Sequence, residues 1–193
     1  MLCRIFLGFF AIAVLSQVTW AQNFDAEIKK AVELSTAGKP AAALEAMDRA
    51  TTALWLRSPL TVTKAVLVTK PAKVFGEYDK RPNNVFPAGG KVRVYTELIG
   101  YDWQKIDDLY KINVIADVSL KNTKGKILWS KKEFGVFRPA KPKQFKKLYV
   151  NLSLGIKGVP AGNYIVEYSL IDKIRKQVAV ISLPFSIVGK PSQ

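Results

Sequence analysis

The strongest constraint on the fold is a change in the spacing of apolar residues near Pro59. Beyond it, apolar and polar residues alternate with a period of two in seven segments: residues 61–69, 91–99, 111–121, 126–132, 145–154, 163–171 and 177–187. This period indicates half-buried strands. Turn-forming residues such as 122–125 and 159–162 separate the segments, with no helical pattern between them, so parallel βαβ units are disfavoured. The sequence therefore predicts an immunoglobulin-like antiparallel β-sandwich of about seven strands, with Pro184 at an edge or a bulge.

Before this region, residues 22–57 have the apolar spacing of two helices. Asn23 is a candidate N-cap, Gly38 a candidate residue for ending the first helix, and Pro40 a candidate first residue of the second. The second helix is rich in alanine, and it places four larger residues on one face: Leu44, Met47, Thr51 and Leu54. The predicted fold is therefore mainly β, with an αα-hairpin preceding a sandwich domain over residues 58–193.

The first 21 residues have the pattern of a secretory signal peptide. Arg4 precedes an apolar run over residues 5–15, and the small residues Thr19 and Ala21 predict cleavage before Gln22. The apolar run is shorter than the ~20 residues that cross a bilayer. We therefore expect an exported protein, periplasmic or extracellular, whose mature chain contains neither cysteine nor histidine.

Two segments resemble the strand starts of bacterial immunoglobulin-like modules: residues 86–90 (FPAGG) and residues 160–164 (PAGNY). The mature chain as a whole resembles a group of uncharacterised secreted bacterial proteins. In these proteins a short helical hairpin precedes a segment similar to residues 78–103 of this chain. The resemblance implies export and this architecture, and it implies no activity, cofactor or catalytic residue.

The mature composition excludes several kinds of catalytic site. Without histidine or cysteine, the Ser-His-Asp and Cys-His nucleophile systems and the common zinc ligands are missing. The one carboxylate cluster contains Asp102, Asp107 and Asp108, which lie too close in sequence to flank a sugar in the usual way. We therefore predict a non-enzymatic protein with no cofactor and no metal site.

The charge of the chain is its most informative remaining feature. The net charge is +15, yet residues 22–57 hold five basic and five acidic residues. Residues 121–147 hold ten basic residues against one acid, Glu133. We predict a basic sandwich face that binds an anionic partner, formed by Lys131, Lys132, Arg138, Lys141, Lys143, Lys146 and Lys147. The alternative is that these lysines serve only solubility and edge protection.

Aromatic residues define a second candidate surface. Tyr101, Trp103, Asp107 and Asp108 would bind a glycan if exposed, and Trp103 and Phe137 are the aromatics expected to be exposed. Tyr95 and Trp129 are expected in the core.

Three functions follow from these features. The first is an exported binding or adaptor protein for an anionic envelope component or an acidic protein, with possible peripheral contact to a membrane surface. The second is a carbohydrate-binding or carbohydrate-active module. The third is a structural assembly subunit of undetermined oligomeric state. Nucleic acid is disfavoured as a partner because the sequence contains no recognition motif.

Overall fold

The structure is a computed structural model that describes residues 14–189, and for residues 14–22 it describes the backbone alone. Most of the expected signal peptide, residues 1–13, lies outside the described residues. The expected cleavage position between Ala21 and Gln22 falls within the first helix, and cleavage itself stays a prediction. The chain divides into two compact units between Arg57 and Ser58.

The first unit is a pair of helices, α1 (Val14–Thr36) and α2 (Pro40–Arg57). Gly38 has a φ of 68° and lies in the turn between them, a conformation that glycine adopts at low cost. The expectation that Asn23 caps the first helix is wrong, because α1 continues through this residue.

Small residues form the interior of the hairpin. The buried positions are alanines: Ala31, Ala46, Ala50 and Ala53. The face predicted from the larger residues is instead exposed, with Leu44 71%, Met47 44% and Leu54 48% accessible. Alanine at these positions permits close approach of the two helices. An ion pair from Arg49 to Glu27, with Nε–Oε2 at 3.0 Å, links them further.

The second unit contains the strands. In chain order they are β1 (Thr61–Leu67), β2 (Val85–Pro87), β3 (Lys91–Ile99), β4 (Gln104–Ile106), β5 (Leu109–Lys111), β6 (Val114–Asn122), β7 (Ile127–Phe137), β8 (Ala140–Lys141), β9 (Leu148–Gly155), β10 (Gly162–Asp172) and β11 (Gln177–Val188). The protein is thus mainly β, with two helices followed by several sheets, as the sequence predicted.

The strands form three sheets within the described residues. A three-stranded sheet has the order β1-β3-β9, and a five-stranded sheet has the order β2-β11-β10-β6-β7. A minor sheet of short strands has the order β4-β5-β8. All pairs are antiparallel except β2 with β11, so the expectation of a wholly antiparallel arrangement is wrong at this pair.

The core comes from alternate residues of the two larger sheets. On β9 and β10 every second side chain is buried: Leu148, Val150, Leu152, Leu154, Tyr164, Val166, Tyr168 and Leu170. The register of β6 on β10 aligns Val118 with Tyr168 and Leu120 with Val166, which continues the buried face onto β6. This alternation is the consequence of the strand period of two.

Each of the seven predicted strands overlaps a strand of the two larger sheets, but some boundaries differ. β7 extends five residues beyond the predicted end at Lys132, to Phe137. Four short strands, β2, β4, β5 and β8, were not predicted. Pro184 pairs with Ile165 on one side, and β2 joins the other side only from Ser186 onward. Pro184 therefore lies on an open edge, as predicted.

Candidate functional site

Three of the predicted anion-binding residues line one cleft. Arg138, Lys141 and Lys147 surround an open cleft of about 370 Å³, between the end of β7 and the start of β9. Three aromatic rings also line it: Phe137, Phe145 and Tyr149. We call this site the basic cleft. The residues that line it include no carboxylate, so its potential is set by the three cations.

Short-strand pairing positions the first two cations. β8 pairs with β5, with Lys141 opposite Tyr110, and the amide of Ile112 donates to the Pro139 carbonyl at 3.2 Å. The Arg138 Nε donates to Asn113 Oδ1 at 3.1 Å, and the Lys141 Nζ lies 5.1 Å from the Phe145 ring centroid. Both cationic groups are therefore held next to the cleft by local contacts that leave their charges unneutralised.

Tyr101 and Trp103 bond to the backbone of Phe145, one of the residues that line the cleft. The Tyr101 hydroxyl donates to the Phe145 carbonyl at 2.8 Å, and Trp103 Nε1 donates to the same oxygen at 3.0 Å. Their rings meet edge to face, with centroids 5.6 Å apart. Burial raises the pKa of Tyr101, so its hydroxyl stays a donor at neutral pH. The two side chains thus fix the backbone at Phe145.

The expectation that Trp103 is exposed is therefore wrong. Trp103 is 7% and Tyr101 is 0% accessible, because the segment that carries Phe145 covers them. Asp107 and Asp108 are exposed and lie in the turn between β4 and β5, where Asp107 has a φ of 54°. The structure does not bring these four residues together into a surface on which a sugar ring could stack.

The remaining predicted basic residues are divided between faces. Lys131 aligns with Val118, whose side chain belongs to the core face, whereas Lys132 contacts Asp117 on the opposite face. Lys143 and Lys146 lie in the loop between β8 and β9 and do not line the cleft. The expectation of one continuous face containing all seven residues is therefore wrong, because successive residues of a strand point to opposite sides.

Lys132 already has an acidic partner. Its Nζ lies 2.8 Å from Asp117 Oδ2, and the amide of Glu133 donates to Asp117 Oδ1 at 2.8 Å. Burial would raise the pKa of Asp117, but these hydrogen bonds and the charge of Lys132 outweigh it and lower the pKa below its usual 3.8. Lys121 is similarly paired with Glu167, at 2.6 Å. The positive charges of these two lysines are therefore each paired with an acid of the same sheet.

Other aromatics divide between core and surface. Tyr95 is fully buried, as predicted, and it donates to Glu97 Oε1 at 2.8 Å. Trp129 is 43% accessible, so the expectation that it lies in the core is wrong. Phe137 is half-buried at the wall of the basic cleft rather than exposed.

Sequence reasoning missed Phe145 and Tyr149 as site residues. The signal was the alternation of Phe145, Lys147 and Tyr149, with an aromatic residue on each side of a cation, just before and at the start of β9. Only the fold shows that Arg138 and Lys141 lie beside them.

No helix among residues 14–189 combines the length and apolar character needed to span a membrane. Within the same range, no group of three or more Asp, Glu, His or Cys side chains is arranged to hold a metal ion.

No protein-family model matches the chain, and no curated protein is similar to it in sequence. Solved structures give distant similarities. A Niemann-Pick type C2 protein from the Japanese carpenter ant has 10% identity and a TM-score of 0.43, with 68% of this chain and 94% of that chain covered. A family 123 glycoside hydrolase from Clostridium perfringens has 12% identity and a TM-score of 0.41, with 67% of this chain and 27% of that chain covered.

The alkylpurine DNA glycosylase AlkC of Pseudomonas fluorescens, bound to DNA with an abasic site analog, has 11% identity and a TM-score of 0.38. The alignment covers 79% of this chain, and this chain spans 39% of the length of that protein. At these values the similarities assign neither a family nor an activity.

Proposed function

We propose that the protein is a non-enzymatic, exported binding or adaptor protein that uses the basic cleft to hold an anionic component of the cell envelope. The observation that carries this proposal is the composition of the cleft: Arg138, Lys141 and Lys147 line it without a carboxylate. An acidic protein is the alternative partner. We also propose that the strands from residue 58 onward form an immunoglobulin-like sandwich.

The size of the cleft favours a small anionic group over a broad protein surface. A volume of about 370 Å³ lies within the ~300–1,000 Å³ typical of small-ligand sites. Arginine and lysine suit phosphate or carboxylate oxygens, because both supply charged N–H donors. The adjacent rings of Phe137, Phe145 and Tyr149 could contact an apolar part of the same ligand.

The carbohydrate alternative has less support. It depended on exposed rings at Tyr101 and Trp103, and both side chains are buried and bonded to the Phe145 carbonyl. The assembly alternative is favoured by one specific observation, the open edge of β7.

Vesicle co-sedimentation tests the proposed function. The mature chain, from Gln22 onward, is mixed with phosphatidylglycerol vesicles, with phosphatidylcholine vesicles, or with soluble polyglutamate, at low and at high salt. We expect binding to phosphatidylglycerol that weakens as salt screens the cleft charges, and no binding to phosphatidylcholine. Binding to polyglutamate but not to phosphatidylglycerol would indicate that the partner is an acidic protein rather than an envelope component. Binding to neither polyanion would contradict the proposal.

A further inference from the structure

The first part of β7 is an exposed strand edge with large apolar side chains. β7 is the last strand of the five-stranded sheet, and among the described residues it pairs with β6 alone. Three consecutive residues at its start are largely accessible: Ile127 at 55%, Leu128 at 49% and Trp129 at 43%. The unpaired N–H and C=O groups of such an edge can bond to an added strand.

Apolar side chains occupy both faces of this edge. Trp129 aligns with Leu120, whose side chain points into the core, and Ile127 aligns with Lys121, whose side chain meets Glu167 on the outer face. The register shift between these two pairs leaves Leu128 in a β-bulge, and this bulge places Ile127 and Trp129 on opposite faces. The three-stranded sheet opposite is narrower than the five-stranded sheet, which leaves Trp129 largely uncovered. An added strand would cover apolar surface on both faces of the sheet at once. A globular partner that contacts one face would leave the other face exposed.

The surrounding charge is positive. Lys124, Lys126 and Lys131 are exposed and form no ion pair in the described part of the chain, and the first acid after them is Glu133. Lysines often protect an edge from pairing. They do not account for three consecutive apolar residues, and they favour a partner segment that supplies acidic side chains between its apolar ones.

A second copy of this chain fits the edge less well. Pairing of two β7 edges would bring together the exposed Lys124, Lys126 and Lys131 of both copies, none of which forms an ion pair in the described part of the chain. Like charges directly opposite each other are destabilising, and each copy carries a net charge of +15.

We propose that the edge of β7 at residues 127–131 binds an extended segment of another protein, with alternating apolar and acidic residues, by strand addition. This surface is separate from the basic cleft. Lys131 and Phe137, at the cleft wall, align with Val118 and Val114 of β6, which are four residues apart, so roughly 13 Å of strand separates them at ~3.3 Å per residue. The proposal does not depend on the proposed function of the cleft.

The test uses a capped eight-residue peptide of alternating glutamate and valine with isotope-labelled full chain. Amide NMR shifts and hydrogen exchange are measured at low salt. We expect slowed exchange of amides within residues 127–131, and at least tenfold weaker binding when alternate peptide amides are N-methylated. Equal binding of the N-methylated peptide would overturn strand addition, because that change removes backbone donors and leaves the charge unchanged.

Two variants and one further measurement complete the test. Trp129→Ser should weaken peptide binding severalfold, whereas Val180→Ser, at an exposed valine of β11, should leave it unchanged. Far-ultraviolet circular dichroism confirms that both variants fold. Shift changes confined to the basic cleft would overturn the proposal. The proposal would also be overturned if raising the protein concentration without peptide slowed exchange of the same amides, because a second copy would then be the occupant.

Discussion

At the scale of single residues, the contacts of a buried tyrosine decide what its hydroxyl contributes. Tyr101 and Tyr168 are both fully buried, and burial raises the pKa of both. The Tyr101 hydroxyl donates to the Phe145 carbonyl, whereas the Tyr168 hydroxyl has no hydrogen-bond partner among the described residues. A buried polar group without a partner lowers stability, because it loses its hydration without compensation.

The two tyrosines therefore form a matched pair of substitutions. Tyr101→Phe should lower the free energy of unfolding by about 1 kcal/mol, the usual net value of one hydrogen bond. Tyr168→Phe should leave stability unchanged or raise it, because no bond is lost. Urea unfolding measures both. A larger loss of unfolding free energy for Tyr168→Phe than for Tyr101→Phe would contradict the hydrogen bonding assigned to the two hydroxyls.

Among the described glycines, Gly100 has the closest approach to an added side chain. Its φ is 75°, and an added Cβ would lie 2.2 Å from the Pro59 carbonyl oxygen. Arg175 Nη1 donates to the carbonyls of both Ser58 and Gly100, so backbone movement there breaks these bonds.

Gly100→Ala should therefore destabilise the protein by more than about 2 kcal/mol, through positive-φ strain together with the clash. Gly125→Ala is the control, since its φ of 81° carries the same strain while an added Cβ meets nothing within 4 Å. Thermal unfolding compares the two variants. Equal losses would mean that the close approach to Pro59 contributes nothing.

At the scale of elements, β7 combines a bulge with a charge cluster. Its register on β6 shifts between Ala116 and Val118, and Glu133 within this bulge has a φ of 48°. The Asp117 carboxylate accepts from Lys132 Nζ and from the Glu133 amide, and so holds the bulge in place.

Acid should remove the stability that the Asp117 contacts contribute. The pKa of Asp117 is lower in the folded state than in the unfolded chain, so the folded state binds this proton less tightly. The stability that Asp117 contributes is complete above its unfolded pKa, near 3.8, and is lost as pH falls through the lowered pKa. Urea unfolding of wild type and Asp117→Asn from pH 7 to pH 2 should show a difference that shrinks below pH ~4.

Lys132→Met is the companion variant. It should lose only part of the stability that Asp117→Asn loses at pH 7, because the Glu133 amide still donates to Asp117. A wild-type advantage over Asp117→Asn that stayed constant down to pH 2 would contradict the contacts assigned to the carboxylate.

Long elements were predictable from the sequence, and short ones were not. β3 and β10 contain several repeats of the alternation, so their positions follow from local pattern alone. β8 has two residues and exists because β5 lies beside it, which no local pattern encodes. Trp129 has the alternation of a core residue and is exposed because its strand is the outermost of five.

The candidate site shows the same limit. The cations of the site were predictable from the density of charge in residues 121–147. Which of them pair with acids and which line the cleft was not predictable. Lys132 is neutralised by Asp117, whereas Arg138, Lys141 and Lys147 meet at one cleft. The burial of Trp103 depends on a carbonyl 42 residues away. Both outcomes arise from long-range packing.

At the scale of the whole molecule, the excess of positive charge belongs to the strand-containing unit and has more than one role. Lys121 and Lys132 pair with acids of the five-stranded sheet. Lys124, Lys126 and Lys131 flank the open edge of β7, and the cleft holds three more cations. We propose that the position of the cleft cations, beyond their contribution to net charge, determines binding of an anionic ligand.

A comparison of two triple variants with equal net charge separates the position of these cations from net charge. One carries Arg138→Gln, Lys141→Gln and Lys147→Gln in the cleft. The other carries Lys91→Gln, Lys105→Gln and Lys157→Gln at exposed positions outside it. Affinity for phosphatidylglycerol vesicles should fall on the order of tenfold or more in the cleft variant, given the strength of charge-assisted hydrogen bonds. It should change little in the control, and equal losses in both would show that net charge alone accounts for binding.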